Sequence, residues 1–249
     1  MNLKDSISIV AQINNVQFTE KDIQFSSGEV VGINPELGLM VLAQGECQAE
    51  DAAAYKSVEI MLDDMELNLK STINDSSLSS SMVDRCISES LENINEYLYF
   101  QAERKAGLEK VDGVDLAVVQ IQQNNISCCN VGSLSCLRFS GDELQVLGKD
   151  SAIDDKLGIK TALQSTIVEK DFSEGDTLLL TSPDLVSQLG HDFIRVTLSR
   201  FNDNLEMALR QINTRALRHD FEQKPVIIIC RRIHTMKQSR NWFNKMLNH

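Results

Sequence analysis

Apolar positions over residues 49–73 recur at intervals of three and four, so that Tyr55, Val58, Leu62, Met65 and Leu69 share one side of a predicted helix. Residues 82–101 repeat the spacing with Val83, Ile87, Ile94 and Leu98. The stretch between them, 72–81, is rich in Ser, Asn and Asp, which predicts a polar loop joining two antiparallel amphipathic helices. Strand-like runs follow at 116–122, 126–131, 134–140 and 143–147, punctuated by Gln123-Asn124-Asn125, Gly132-Ser133 and Gly141-Asp142, the pattern of an antiparallel meander. A turn at Ser173-Glu174-Gly175-Asp176 then feeds a short apolar strand over 177–181, which delivers Ser182-Pro183-Asp184-Leu185 to its far end. Helical spacing returns at 193–198 and at 204–217, the latter with Leu205, Leu209, Ile212 and Ala216 in register, and a strand over 226–230 follows. This order is not the regular βαβ alternation of a parallel sheet. It predicts an α+β fold, a four-layer α-β-β-α sandwich of two antiparallel sheets flanked by helices.

Composition places that pattern in one globular unit: 249 residues, 42% apolar and 24% charged. No apolar stretch has the length of a transmembrane segment, and the N-terminus lacks the pattern of a signal peptide. The cysteines Cys47, Cys86, Cys128, Cys129, Cys136 and Cys230 show no zinc spacing and fall mostly within predicted elements, so they read as buried free thiols in a reducing cytoplasm. With 36 acids against 24 bases the chain is not a general nucleic-acid binder. The imbalance is uneven, because residues 231–249 carry five bases and no acid, leaving 19 bases against 36 acids before them, a net of −17.

Phosphate-binding loops, nucleophile elbows and zincin motifs are absent from the sequence. Asp176 reads as a turn-stabilising residue that bonds nearby backbone N–H groups, and Asp63, Asp64 and Glu66 read as a solvated helix face.

Three blocks carry a resemblance. Residues 175–185, GDTLLLTSPDL, are similar to G-D-x-[LF]-[LI]-L-x-[ST]-D-G-[LV]; residues 130–135, NVGSLS, to N-x-G-D-S-R; and residues 39–46, LMVLAQGE, to an apolar strand ending in D-G-M-G-G. In order and spacing they resemble the metal-dependent serine/threonine protein phosphatases of the 2C, or PPM, type, over about residues 6–232. The resemblance implies that family's sandwich and a cleft in which two Mn²⁺ or Mg²⁺ ions share the attacking water.

The resemblance also implies which positions would hold the ions, and those positions have changed. Carried over one by one they fall on Gln44 and Gly45, on Pro183, on Glu222 followed by Gln223, and on Asp22 at the end of QFTEKD. Two dications about 4 Å apart repel by roughly 17 kcal/mol at an effective dielectric of about 20, so the pair requires several carboxylates. Gln44 offers a neutral amide oxygen and Pro183 no side-chain ligand. Asp184 is the fallback ligand if the register slips by one residue, although such a slip along an extended segment reverses the side chain's direction. The expectation is a degenerate member with no metal cofactor and no catalytic residue, a pseudophosphatase serving as a protein-binding or regulatory module for a kinase, a phosphatase or a phosphoprotein. The alternative is a divergent Mn²⁺- or Mg²⁺-dependent phosphatase with a rearranged site using Asp22, Asp184 and Glu222. Beyond the phosphatase-like domain, 1–232, the basic tail 233–249 places Trp242 with Met246 and Phe243 with Leu247 if helical, an amphipathic segment suited to a partner's groove or to the chain's own acidic body.

Overall fold

The computed structural model describes residues 7–12, 21–26, 28–45, 52–73, 79–105, 113–122, 124–148, 155–219 and 226–232. Its strands are β1 (Ile7–Gln12), β2 (Asp22–Ser26), β3 (Glu29–Asn34), β4 (Leu39–Gln44), β5 (Asp115–Ile121), β6 (Asn125–Val131), β7 (Ser135–Ser140), β8 (Glu143–Leu147), β9 (Ile167–Asp171), β10 (Thr177–Thr181) and β11 (Ile227–Arg232). The helices are α1 (Ala53–Ile73), α2 (Ser80–Lys105), α3 (Pro183–Leu189), α4 (His191–Arg200) and α5 (Leu205–Ala216). One sheet runs β1-β11-β10-β7-β8 and the other β2-β3-β4-β5-β6-β9, with every neighbour antiparallel.

The period-two alternation of the strands explains the layering. Along β4, Leu39, Val41 and Ala43 face α1 and α2, while Met40 and Leu42 face the other sheet. Three apolar layers result: α1 and α2 on the six-stranded sheet, sheet on sheet, and α3, α4 and α5 on the five-stranded sheet. The predicted four-layer sandwich is therefore the observed one. Helix α1 seats close to β3 because Gly32 has no side chain; a Cβ there would lie 2.3 Å from Val58 Cγ1. No described helix is long and apolar enough to cross a membrane.

The two helices around the polar loop, the meander and the strand at 177–181 match expectation within a few residues. The sequence pattern assigns no ranges to strands β1, β2 and β3, and two further elements differ from expectation. Strand β9 pairs with β6 at a sheet edge and is mostly exposed, so its sequence lacks the alternation that marks a half-buried strand. Residues 182–185, read as the extended far end of a strand, instead open α3, with Ser182 at its N-cap, Pro183 in its first turn and Asp184 beside it. Proline's fixed φ and its missing N–H suit that position, and the acid favours the helix's N-terminal end.

Candidate functional site

At one end of the sandwich three polar side chains stand in a row across adjacent strands. In the β3-β4 register Glu29 lies opposite Gln44, and in the β4-β5 register Gln44 lies opposite Asp115. All three fall on the face that looks toward the other sheet, in phase with Val31 and Ile33, Met40 and Leu42, and Ala117 and Val119. The end of β10, the first turn of α3 and the residue leading into β11 approach the same end from the facing sheet, since Thr181 pairs with Ile227.

Each acid of the row is buried and held. Glu29 accepts a 2.6 Å hydrogen bond through Oε2 from the backbone N–H of Val226, and its Oε1 has no partner among the described residues. Burial raises its pKa from 4.5 to about 7, with the N–H of Val226 opposing and the charge of Asp184 adding to the shift. Asp115 accepts a 2.7 Å bond through Oδ2 from the Ser133 hydroxyl, and Lys156 Nζ stands 3.7 Å from Oδ1, an ion pair rather than a hydrogen bond. Burial raises this carboxyl too, against the opposing effects of Ser133 and Lys156. Gly132 makes the packing possible: its φ is +84°, and a Cβ there would fall 2.0 Å from Asp115 Oδ1.

The sequence-derived candidates separate in this frame. Gln44, Gly45, Pro183 and Asp184 lie at the row's end of the sandwich. Asp22 does not: it pairs with Ile33, which pairs with Met40, so it sits exposed on an edge strand toward the opposite end of the β2-β3 hairpin. The hairpin turns back between them and brings Glu29, not Asp22, beside Gln44. Asp184 is exposed in the first turn of α3, so the strand argument about a one-residue slip does not describe it. Glu222 and the tail residues Trp242, Phe243, Met246 and Leu247 lie outside the described residues. Asp176 holds its turn as expected, accepting from the N–H of Ser173 at 2.8 Å, and also pairs with Arg138 at 2.7 Å. The five described cysteines are buried free thiols.

Sequence reasoning missed Glu29 and Asp115, and so undercounted the carboxylates at this end. Ser133 stands at the aspartate position of the N-x-G-D-S-R resemblance, and its hydroxyl donates to Asp115 on the neighbouring strand β5. The fit to divalent ions is nevertheless poor. Among the described residues no three His, Cys, Asp or Glu side chains converge to hold an ion. Glu29 and Asp115 are separated by two strand spacings, about 10 Å between backbones, with a neutral amide between them. A ligand oxygen lies about 2.1 Å from a bound Mg²⁺, and one oxygen of each acid is already engaged, by the Val226 N–H and by the Ser133 hydroxyl. The described donor set does not match a pair of dications.

No family model matches the chain, and no curated protein matches it significantly. Similar solved structures include PppA, described as a key regulatory component of T6SS in Pseudomonas aeruginosa, with a TM-score of 0.67 at 17% identity, covering 91% of this chain and 97% of that one. The serine/threonine phosphatase PstP of Mycobacterium tuberculosis matches with a TM-score of 0.63 at 15% identity over 92% and 98% of the two chains. Serine/threonine phosphatase Stp1 of Staphylococcus aureus gives 0.63 at 15% identity over 92% and 94%. At these identities the likeness speaks to architecture, and on that ground the chain has the fold of the PPM-type serine/threonine phosphatases.

Proposed function

We propose that this chain is a pseudophosphatase, a phosphatase-like sandwich that acts as a protein-binding or regulatory module in cytoplasmic phospho-signalling. The observation that carries the reading is the row Glu29–Gln44–Asp115, whose central position is a neutral amide. A dinuclear centre needs its shared ligand to be anionic; Gln44 offers only a dipole against a repulsion of roughly 17 kcal/mol at an effective dielectric of about 20. Glu29 is buried and already accepts from the Val226 N–H, and burial raises its carboxyl to about 7. The partner is a protein, namely a kinase, an active phosphatase or a phosphoprotein, and a regulatory role accords with the description of the Pseudomonas aeruginosa neighbour. The buried thiols suit a reducing compartment.

The test is hydrolysis of a chromogenic aryl phosphate in excess Mn²⁺, run beside calorimetric titration of Mn²⁺. Neither turnover nor tight binding is expected. The second reading, an Mn²⁺- or Mg²⁺-dependent phosphatase with a rearranged site, is favoured by the influence of Asp184 on Glu29, which places two acids near one another at this end. Turnover that requires Mn²⁺ and is lost in Asp184→Asn establishes that reading in place of the first.

A further inference from the structure

We propose that Lys156 is a built-in cation, supplying to Asp115 the positive charge that a divalent ion would bring to a metal-loaded cleft, and that residues 155–161 fold so as to keep it there. The inference rests on the pseudophosphatase reading and gives it a mechanism: the cleft end is neutralised from within.

Asp115 is the reason a cation is needed. It is 2% exposed, with one oxygen on the Ser133 hydroxyl and the other with no hydrogen-bond partner. A buried carboxylate in that condition is stable only with a countercharge close by. Among the described residues the cation paired with it is Lys156, 3.7 Å from the unbonded oxygen. The side chain comes from outside both sheets, across the N-terminal end of β5.

The segment that delivers Lys156 is fastened on both sides of it. Leu157, fully buried, forms an isolated bridge with Val114, donating to its carbonyl at 2.9 Å and accepting from its N–H at 3.1 Å. Gly113 permits this approach, because a Cβ there would lie 2.7 Å from Lys156 Cβ and 2.7 Å from the Leu157 carbonyl oxygen. Asn95, buried on α2, accepts from the N–H of Gly158 at 2.9 Å and donates to the carbonyl of Lys160 at 2.9 Å. Gly158, at φ +81°, brings the backbone against Leu98, where a Cβ would lie 2.7 Å from Leu98 Cβ. Two close-packed glycines, a bridge and an asparagine clamp thus fix the backbone on either side of the lysine, and with it the point from which its side chain reaches Asp115.

The experiment uses the full chain, MnCl₂ as the only probe, and thermal melts beside calorimetry. The wild-type melting temperature is expected to be indifferent to MnCl₂. Lys156→Met, which keeps most of the stem and removes the charge, is expected to melt lower in EDTA, to recover with MnCl₂, and to bind Mn²⁺ at least tenfold more tightly than wild type. Lys156→Arg is expected to behave as wild type. Adding Asp115→Asn to Lys156→Met is expected to raise the melting temperature above that of Lys156→Met and abolish the response to MnCl₂. A folded Lys156→Met that binds Mn²⁺ no better than wild type overturns the proposal. So does a double variant no more stable than Lys156→Met, an outcome that can be read even where the single variant folds poorly. Aryl phosphate turnover by wild type in Mn²⁺ bears on the pseudophosphatase reading; the difference in Mn²⁺ response between wild type and Lys156→Met bears on the lysine.

Discussion

Glu29 at the head of β3 and Val226 at the head of β11 are 197 residues apart in the chain, yet a 2.6 Å hydrogen bond joins them across the gap between the two sheets. The acceptor is a carboxyl and the donor a backbone N–H, so the bond closes the end of the sandwich with a group that titrates. Burial raises the Glu29 carboxyl to about 7 from its ordinary 4.5, with the nearby Asp184 carboxylate adding to the shift. A contact that ties two layers together is thereby linked to pH.

The sign follows from the direction of the shift. The folded state holds the Glu29 proton more tightly than the unfolded state, so below about pH 4.5 both are protonated and ionisation costs nothing. As pH rises to about 7 the unfolded chain loses its proton first, and stability falls across that window by up to about 3 kcal/mol before levelling. Chemical denaturation of wild type and Glu29→Gln should therefore show a difference in stability that moves in favour of the variant between about pH 5 and about pH 8. A difference that stays flat with pH removes Glu29 as the titrating group.

Gly132 and Asp115 give a steric test of the same end of the fold. Gly132→Ala places a methyl 2.0 Å from Asp115 Oδ1 and 2.6 Å from its Cγ, at a φ of +84° that L-residues seldom adopt. The expected loss is about 2–4 kcal/mol in equilibrium denaturation. Because part of it is collision with the carboxylate, Asp115→Ala should make the Gly132→Ala change less costly, a coupling that a double-mutant cycle measures. Strict additivity shows that backbone strain alone accounts for the loss.

Much of this architecture was legible in the chain, and the exceptions have physical causes. Helices α1 and α2 bury a face of regular period, and strand β10 is a short apolar run between turn signals that is buried on both faces, so local sequence suffices to find them. Helix α3 was misread because Pro183 also punctuates strands, although a proline followed by an acid is a helix-start signal. Glu29 was recoverable in principle: partners in the β3-β4 hairpin have numbers summing to 73, which puts it opposite Gln44 once the turn is located. Asp115 was not. Its place beside Gln44 comes from pairing strands separated by two helices, and its burial comes from the Gly132-Ser133 turn and from Lys156, none of them near it in sequence.

Asn95 tests whether the backbone around Lys156 is fastened from the helix side. Asn95→Ala removes the acceptor for the Gly158 N–H and the donor to the Lys160 carbonyl. A cost of about 1–3 kcal/mol is expected for leaving such buried groups unpaired. Hydrogen exchange locates the effect: the Gly158 amide should lose protection well before the β5-β6 ladder does. Equal loss at both sites points to global destabilisation rather than release of the segment.

The register at the cleft end is tested by rebuilding it. Gln44→Asp puts a carboxylate between Glu29 and Asp115, while Pro183→Asp with Asp184→Gly moves the acid of α3 back by one residue. Without metal the added charge beside two buried acids should lower stability by about 1–3 kcal/mol near neutral pH, and Asp184→Gly should cost up to about 1 kcal/mol in helix propensity. Mn²⁺ should more than offset both, because the added carboxylates screen the repulsion that the wild-type donors leave uncompensated. The expected result is measurable Mn²⁺ affinity by calorimetry and a melting temperature that rises with MnCl₂, more steeply still when Lys156→Met is added. A folded triple variant that gains no affinity means that Gln44 or Pro183 does not occupy a ligand position, and the comparison on which the loss of metal was argued fails with it.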